Sequence, residues 1–455
     1  MTKLFLFIIL LLVCVDGNAQ NLLQIYELAL QNDLQLKEAE ANRDAVLETK
    51  PQGIARLLPT LSANSEVYRS SIYNKFKEFQ LELVTGGRNV DFWSSIASFN
   101  LRQPIYHGDS WVQLSQADNQ IAEAEANYIA AQQSLMMRTA ESYFNILLAQ
   151  DTLAFNEAEQ RAIENELEQA KARYQAGVIT IIDVNEAQAS YDKAKANTIQ
   201  AIKDLEDSKE ILREIVGDYS GNLSGLVETL TLSIPQPDNI EEWSKQALEN
   251  NPTIIAGENN VEVAKKQIDL KFAEHLPTVD LVGSAGFTNT DRPFGISTEY
   301  QYIGMQANVP LFSGGSINSK VRQARHLFEA AKNKLDAKRR TVRRQVKDYF
   351  NGIHSSISEV QALKTALESS QSSLKSVETG FDVGIRTMAD ILTSQRFLYR
   401  TKRDYAKARY EFLIHSLKLK QSAGALRLED LMLINHWLSI DAYSGTTHET
   451  EFYAR

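Results

Sequence analysis

The spacing of apolar residues along the chain switches between two regimes. Over four segments it alternates. Leu61, Ala63 and Val67 are interleaved with Ser62, Asn64 and Glu66, and Phe99, Leu101 and Ile105 with Ser98, Asn100 and Arg102. Much later, Val279, Leu281, Ala285 and Phe287 repeat the pattern, followed by Ile303, Met305, Ala307, Val309 and Leu311. A period of two places these odd-numbered residues on one face of extended strands, predicted at about 60–70, 92–106, 278–288 and 299–312. Elsewhere the period is helical. From Asp109 to Ala176 there is neither Gly nor Pro, and Leu114, Ala117, Ile121, Ala124, Tyr128, Ala131 and Leu135 recur at three-and-four spacing. This predicts a coiled-coil-like helix over about 109–175, roughly 100 Å long at 1.5 Å per residue, with Ser110-x-x-Gln113 as a capping box. A returning helix is expected at about 182–216. The stretch from Ser316 onward, interrupted only by Gly352 before Thr379, predicts a second pair at about 316–382 and 389–423. Shorter helices precede each strand pair, at about 34–56 and 252–274.

The two sets of elements are copies of one unit. Ala29-Leu30-Gln31-Asn32-Asp33 recurs as Ala247-Leu248-Glu249-Asn250-Asn251, and Leu58-Pro59-Thr60 as Leu276-Pro277-Thr278, both at an offset of 218. Pro104-Ile105-Tyr106-His107-Gly108 matches Pro310-Leu311-Phe312-Ser313-Gly314, and Tyr143-Phe144-Asn145 matches Tyr349-Phe350-Asn351, at an offset of 206. Tyr174-Gln175-Ala176-Gly177-Val178-Ile179-Thr180 matches Phe381-Asp382-Val383-Gly384-Ile385-Arg386-Thr387, at 207. The first copy therefore has the longer loop between its strands. The expected organisation is a first repeat over 20–220, a second over 221–424 and a tail over 425–455.

Composition narrows the class. The nine prolines leave two empty runs, between Pro104 and Pro235 and after Pro310, which disfavours turn-rich sandwiches, propellers and α/β enzymes. A net charge of −10 is poorly suited to neutralising phosphates, so no nucleic-acid partner is expected. The seven histidines show no metal spacing, and no Gly-rich phosphate loop or GxSxG motif is present. No enzyme activity, cofactor or metal is expected. Lys3 followed by the apolar run Leu4–Val15 and the small residues Gly17 and Ala19 resembles a secretory signal over 1–19. An uncleaved anchor and lipidation at Cys14 are the alternatives; cleavage after Ala19 removes the only cysteine.

Strands apolar on one face and polar on the other, in an exported chain, fit an outer-membrane barrel with lipid outside and water inside. Four strands cannot close, and open sheet edges are not tolerated in hydrocarbon. Several chains must then share one barrel, continued by a helical tube. The sequence therefore points to an oligomeric membrane conduit with outer-membrane lipid as one partner.

The duplicated order of helix, LPT-strand, loop, strand-P-[IL]-[YF]-x-G, long helix and the segments YQAGVITIIDV and FDVGIRTMADI resembles the TolC-like outer-membrane efflux proteins over about 22–424. The resemblance implies a mainly α fold with a membrane β-barrel portion. Three chains, each a duplicated α-β-β-α-α unit, would form a helical tube topped by a 12-stranded barrel. The homotrimer would dock to a periplasmic adaptor and, through it, to an inner-membrane pump. A periplasmic adaptor with long helical hairpins is the alternative, although it would need one hairpin nested in β-domains. The resemblance also implies a gate at the periplasmic tip. Its positions here are Phe381, Arg386, Asp390 and Thr393, the last replacing an Asp, with Asp183 as the acid of the first repeat. Phe381 lacks the hydroxyl of the Tyr found there in the family, whereas Arg386 could still pair with Asp183. Gly177, Val178, Gly384 and Ile385 would meet the adaptor. The residues alone allow a simpler reading: Thr180-x-x-Asp183 and Thr387-x-x-Asp390 as helix caps, and Gly177 and Gly384 as turn glycines.

Overall fold

A computed structural model describes residues 19–73, 89–219, 221–227, 230–291 and 295–439. The expected signal segment up to residue 18, the side chain of Tyr73, the loop at 74–88 and the tail beyond 439 lie outside the described residues.

The chain folds into two compact units that cut across the repeat boundary, each taking matching pieces of both copies. One comprises Glu40–Asn127 and Thr253–Lys338. In it, the second half of α2 (Leu34–Leu47) and α3 (Thr49–Ala55) lead to β1 (Thr60–Tyr73) and β2 (Asn89–Tyr106). The second copy supplies α7 (Pro252–Ala273), β4 (Thr278–Thr290) and β5 (Ser297–Asn308). The four long strands form one antiparallel sheet in the order β1-β2-β4-β5, with Phe99 opposite Ala285 and Val282 opposite Gly304. Its burial is the reverse of a soluble sheet. Met305 and Phe99 are 70% and 64% exposed, while Ser94 and Asp280 on the other face are 1% and 4% exposed. Polar pairs line that inner face: Arg102 donates to Asp280 at 2.7 Å, and Ser284 to Asn100 at 2.8 Å.

The other unit holds α1 (Leu22–Asn32), α5 (Ile181–Val216), α6 (Ile240–Asn250), α9 (Met388–Ser422), α10 (Leu428–Asn435) and a two-stranded sheet, β3 (Gly225–Leu226) with β6 (Leu438–Ser439). The long helices α4 (Gly108–Gln175) and α8 (Ser316–Asp382) run from one unit into the other. Their straight-chain and Ala-rich sequences fit such lengths, the only glycines being Gly108 at the start of α4 and Gly352 and Gly380 in α8. The core of this unit includes Leu22 and Ile25 of α1, Tyr143, Phe144 and Leu147 of α4, Leu212 of α5 and Leu413 of α9, all fully buried. Tyr143 donates its hydroxyl to the carbonyl of Ser224 at 2.7 Å, and burial pushes its pKa up.

Three local expectations need correction. The helix expected over 34–56 is two helices, and a third, α1, precedes them. Asp33 separates α1 from α2: its carboxylate accepts from the Leu36 N–H at 2.7 Å and from Arg138 at 2.9 and 3.0 Å. Ser110 is not a cap, because α4 begins two residues earlier and Trp111 N–H already bonds to the His107 carbonyl. β5 ends at Asn308 rather than 312; Pro310 has no N–H for a ladder, and Gly314 and Gly315 turn the chain at positive φ.

Candidate functional site at the two hairpin tips

Each repeat ends its long helix in the same six-residue motif. Val178 N–H bonds to the Arg173 carbonyl and Gly177 N–H to that of Tyr174, both at 2.9 Å. In the second copy Ile385 N–H bonds to Gly380 at 2.8 Å and Gly384 N–H to Phe381 at 2.9 Å. This is a Schellman turn, which needs a left-handed residue; Gly177 and Gly384 supply it at φ 74° and 79°. The residue after each glycine is apolar and outward: Val178 is 71% and Ile385 80% exposed. Ile181, Ile182 and Val383 are exposed beside them.

The return helices start with acid caps. Asp183 Oδ2 accepts from the Thr180 N–H at 3.0 Å and its hydroxyl at 2.8 Å. Asp390 Oδ2 accepts from the Thr387 N–H at 2.9 Å and its hydroxyl at 3.0 Å. The backbone bond from Thr387, then its hydroxyl and the Arg386 charge, hold the Asp390 carboxyl below its ordinary range. Thr393 is exposed three residues on, on the same helix face as Asp390. Arg386 is exposed, with its stem lying over Gly380. Among the described residues of the chain no ion pair joins Arg386 to Asp183.

The brace between the two tips is a different one. Arg173, in the last turn of α4, pairs with Asp382 at 2.8 Å, and its guanidinium carbon lies 4.6 Å from the centre of the Phe381 ring. Phe381, which cannot donate a hydroxyl bond, thus takes part through its ring face. Below the brace, Ile163, Leu167 and Ala170 of α4 and Ala187 and Ala194 of α5 pack with Met388 and Leu392 of α9. Farther from the tip, polar contacts join α4 to α9. Gln395 donates to Glu166 at 3.3 Å, Arg403 to Asn156 and Glu159 at 2.7 Å, Tyr410 to Asp151 at 2.8 Å, and Lys418 to Glu141 at 2.6 Å. Burial pushes the Glu166 carboxyl up, and the Glu378 charge adds to it; burial, then the Asp382 charge, raises Glu378 as well. Arg173 and Asp382 were missed in the sequence because the partners stand in different repeats, with no local pattern linking them.

Among the described residues no group of His, Cys, Asp and Glu side chains converges to hold a metal ion. The arrangement offers a charged, apolar-rimmed tip.

The sequence matches the family described as "Outer membrane efflux protein" over residues 25–218 and 243–425, two spans that follow the two repeats. It is 33% identical to outer membrane protein TolC of Escherichia coli (strain K12) over 436 residues, covering 93% of this chain and 86% of the relative. It is 34% identical to outer membrane protein TolC of Vibrio cholerae over 429 residues, covering 93% and 94%. The fold superposes on the Campylobacter jejuni CmeC outer membrane channel with a TM-score of 0.78 at 16% identity, covering 92% and 90%. The match runs through both copies of the whole unit, so the periplasmic-adaptor alternative is set aside.

Proposed function

The chain belongs to the outer membrane efflux protein family and is an outer-membrane exit channel for efflux or secretion, and from that premise we propose how its tips gate the passage. Three copies close one barrel around a shared lumen, and the chain passes cargo without chemistry of its own. The observation that supports this is the reversed sheet. Exposed Met305, Ile303, Phe99 and Leu61 would each strand apolar surface in water, whereas lipid accommodates them and a lumen accommodates Asp280, Ser284 and Asn100.

The paired hairpin tips form the gate. Asp390 caps its helix with Oδ2 only, which leaves Oδ1 without a partner among the described residues. Capping and lining a constriction are therefore compatible. Copies of Asp390 converging on one axis attract cations, and Arg386 offsets their repulsion, with Asp183 of the next copy as its acid. Phe381 and Thr393 complete the constriction. Gly177 and Gly384 let a partner's backbone approach closely, while Val178 and Ile385 supply exposed apolar contacts for a periplasmic adaptor, which hands over to an inner-membrane pump.

Single-channel recording in planar bilayers tests the gate. Asp390→Ala is expected to weaken cation selectivity, and Arg386→Ser to raise conductance, with oligomer yield unchanged. Unaltered conductance and selectivity in both variants would leave these residues as helix caps alone.

A further inference from the structure

The sheet ends in two edges, β1 and β5, that are unpaired among the described residues. The helices below it keep the same order. Lys50 of α3 reaches Asp118 of α4 at 2.9 Å, and Gln116 of α4 donates to the Val263 carbonyl of α7 at 2.9 Å. Lys320 of α8 reaches Glu274, just beyond α7, at 2.6 Å. Thus α3 with β1 stands at one border and α8 with β5 at the other. The central join, α4–β2 against α7–β4, is built from the same two parts. In the duplication α3 and β1 correspond to α7 and β4 at an offset of 218, and β5 and α8 correspond to β2 and α4 at 206.

We propose that neighbouring copies meet border to border in the register of the central join, locked by an ion pair between Glu48 of one copy and Arg325 of the next. This rests on the shared barrel proposed above and adds its residue-level register. In the central join Lys266 donates to the Ser115 carbonyl and to Asn119 Oδ1, both at 2.7 Å. The offsets carry Lys266 to Glu48 and Asn119 to Arg325. A lysine on a carboxamide inside the chain thus becomes a carboxylate facing a guanidinium between chains. Glu48, Arg325 and the adjacent Arg322 are exposed, and their side chains make no hydrogen bond or ion pair among the described residues. Only Leu36 of α2 and Gly53 of α3 are buried, whereas α7 is lined by partners on both sides.

The strands fit the same operation. Phe99 opposite Ala285 maps to Met305 of one copy opposite Val67 of the next, both on the exposed apolar face. Ser98 opposite Gly286 maps to Gly304 opposite Tyr68. At Gly286 a Cβ would meet the Ala97 carbonyl at 2.5 Å, so a small residue is needed at that level. Between copies the glycine moves to the other strand. Nothing lies within 4 Å of the Cβ position of Gly304, which leaves room for the Tyr68 ring. A heterologous join of this kind closes into a ring when its rotation divides a full turn.

The test uses the full chain, purified in detergent, in a Cys14→Ser background. Val67→Cys with Met305→Cys is expected to give disulfide-linked multimers on mild oxidation, because directly opposed strand residues have the spacing a disulfide needs. Val67→Cys with Glu299→Cys, six residues out of register, is expected to give none. Glu48→Arg and Arg325→Glu are each expected to lower the yield of heat-resistant oligomer several-fold, and the double exchange to restore it. An oligomeric wild-type protein whose Val67/Met305 pair stays unlinked, or whose double exchange fails to recover, overturns the register. A wild-type protein that is monomeric in detergent overturns the shared barrel itself.

Discussion

Removing the Arg173 side chain isolates the brace that ties the second hairpin tip to the first. In Arg173→Ala the pair with Asp382 at 2.8 Å and the contact with the Phe381 ring at 4.6 Å both disappear. Asp382 is largely exposed, so the ion pair contributes only about 0.2–1 kcal/mol. The guanidinium over an aromatic face at a wet site adds about 0.5–1 kcal/mol. Together they hold each tip by roughly 1–1.5 kcal/mol, close to a tenfold change in the ratio of braced to released hairpins. The change also leaves Glu166 and Asp382 without the cation that offsets them, which pushes in the same direction. In the shared barrel proposed above, every copy loses the brace at once. The expected outcome in planar bilayers is a shift of the single-channel distribution toward larger conductance, with oligomer yield unaltered. Asp382→Ala should give a smaller shift, because the ring contact survives, and the double variant should show less than the sum of the two. Arg161→Ala, which breaks only a solvated contact with Glu157, should leave conductance as it is. A wild-type distribution in Arg173→Ala would refute the reasoning.

Four other outcomes follow from the same coordinates. Arg403→Met leaves the Glu159 carboxylate buried without its cation and should cost about 3–5 kcal/mol; thermal unfolding should show a lowered midpoint, largely recovered in Arg403→Met/Glu159→Gln. Met305→Arg, on the exposed apolar face, should destabilise the assembled barrel by roughly 2–4 kcal/mol if it lies near the bilayer midplane, while Gln306→Arg is mild, as read by urea resistance of the oligomer. The carboxyls of Glu166 and Glu378 have raised pKa values, so packing of the hairpins takes up protons: tip closure is favoured as pH falls through those values and opposed above them. Conductance should therefore fall on acidification, and Glu166→Gln should flatten that response. Ile385→Asp should abolish adaptor capture in pull-down while leaving conductance in pure lipid unchanged.

The long helices were legible because their signals are local. Long runs with few or no Gly and Pro predict α4 and α8, the Ala176-Gly177-Val178 and Val383-Gly384-Ile385 segments predict their ends, and the observed limits fall within a residue of those expectations. The strands were legible through alternation, but their ends were not. β1 and β2 run past the expected limits toward the loop, and β5 stops short of Val309 because Pro310 cannot join a ladder. The break at Asp33 was not visible either: it depends on Arg138, over a hundred residues away. The tip divides in the same way. Both acid caps follow from Thr-x-x-Asp spacing, whereas Arg173 with Asp382 and the contacts from Glu141 to Lys418 join positions more than two hundred residues apart. Helical periodicity says which face is apolar and nothing about which polar residues on two distant helices will meet.

The alternation in β1, β2, β4 and β5 also bears on how such a chain reaches its membrane. A protein destined for the outer membrane has first to be threaded through the inner one, where a segment of about 20 apolar residues is retained. In these strands polar residues interrupt the apolar ones every second position or so, and among the described residues no helix is long and apolar enough to cross a membrane. Unfolded, the strand segments therefore present no run of that length to the inner membrane. Its lipid-compatible surface is assembled only when the strands pair and Leu61, Phe99, Ile303 and Met305 gather on one side. Hydrophobicity kept as a rhythm rather than as a run lets the same residues pass one bilayer as cargo and settle in the next as wall.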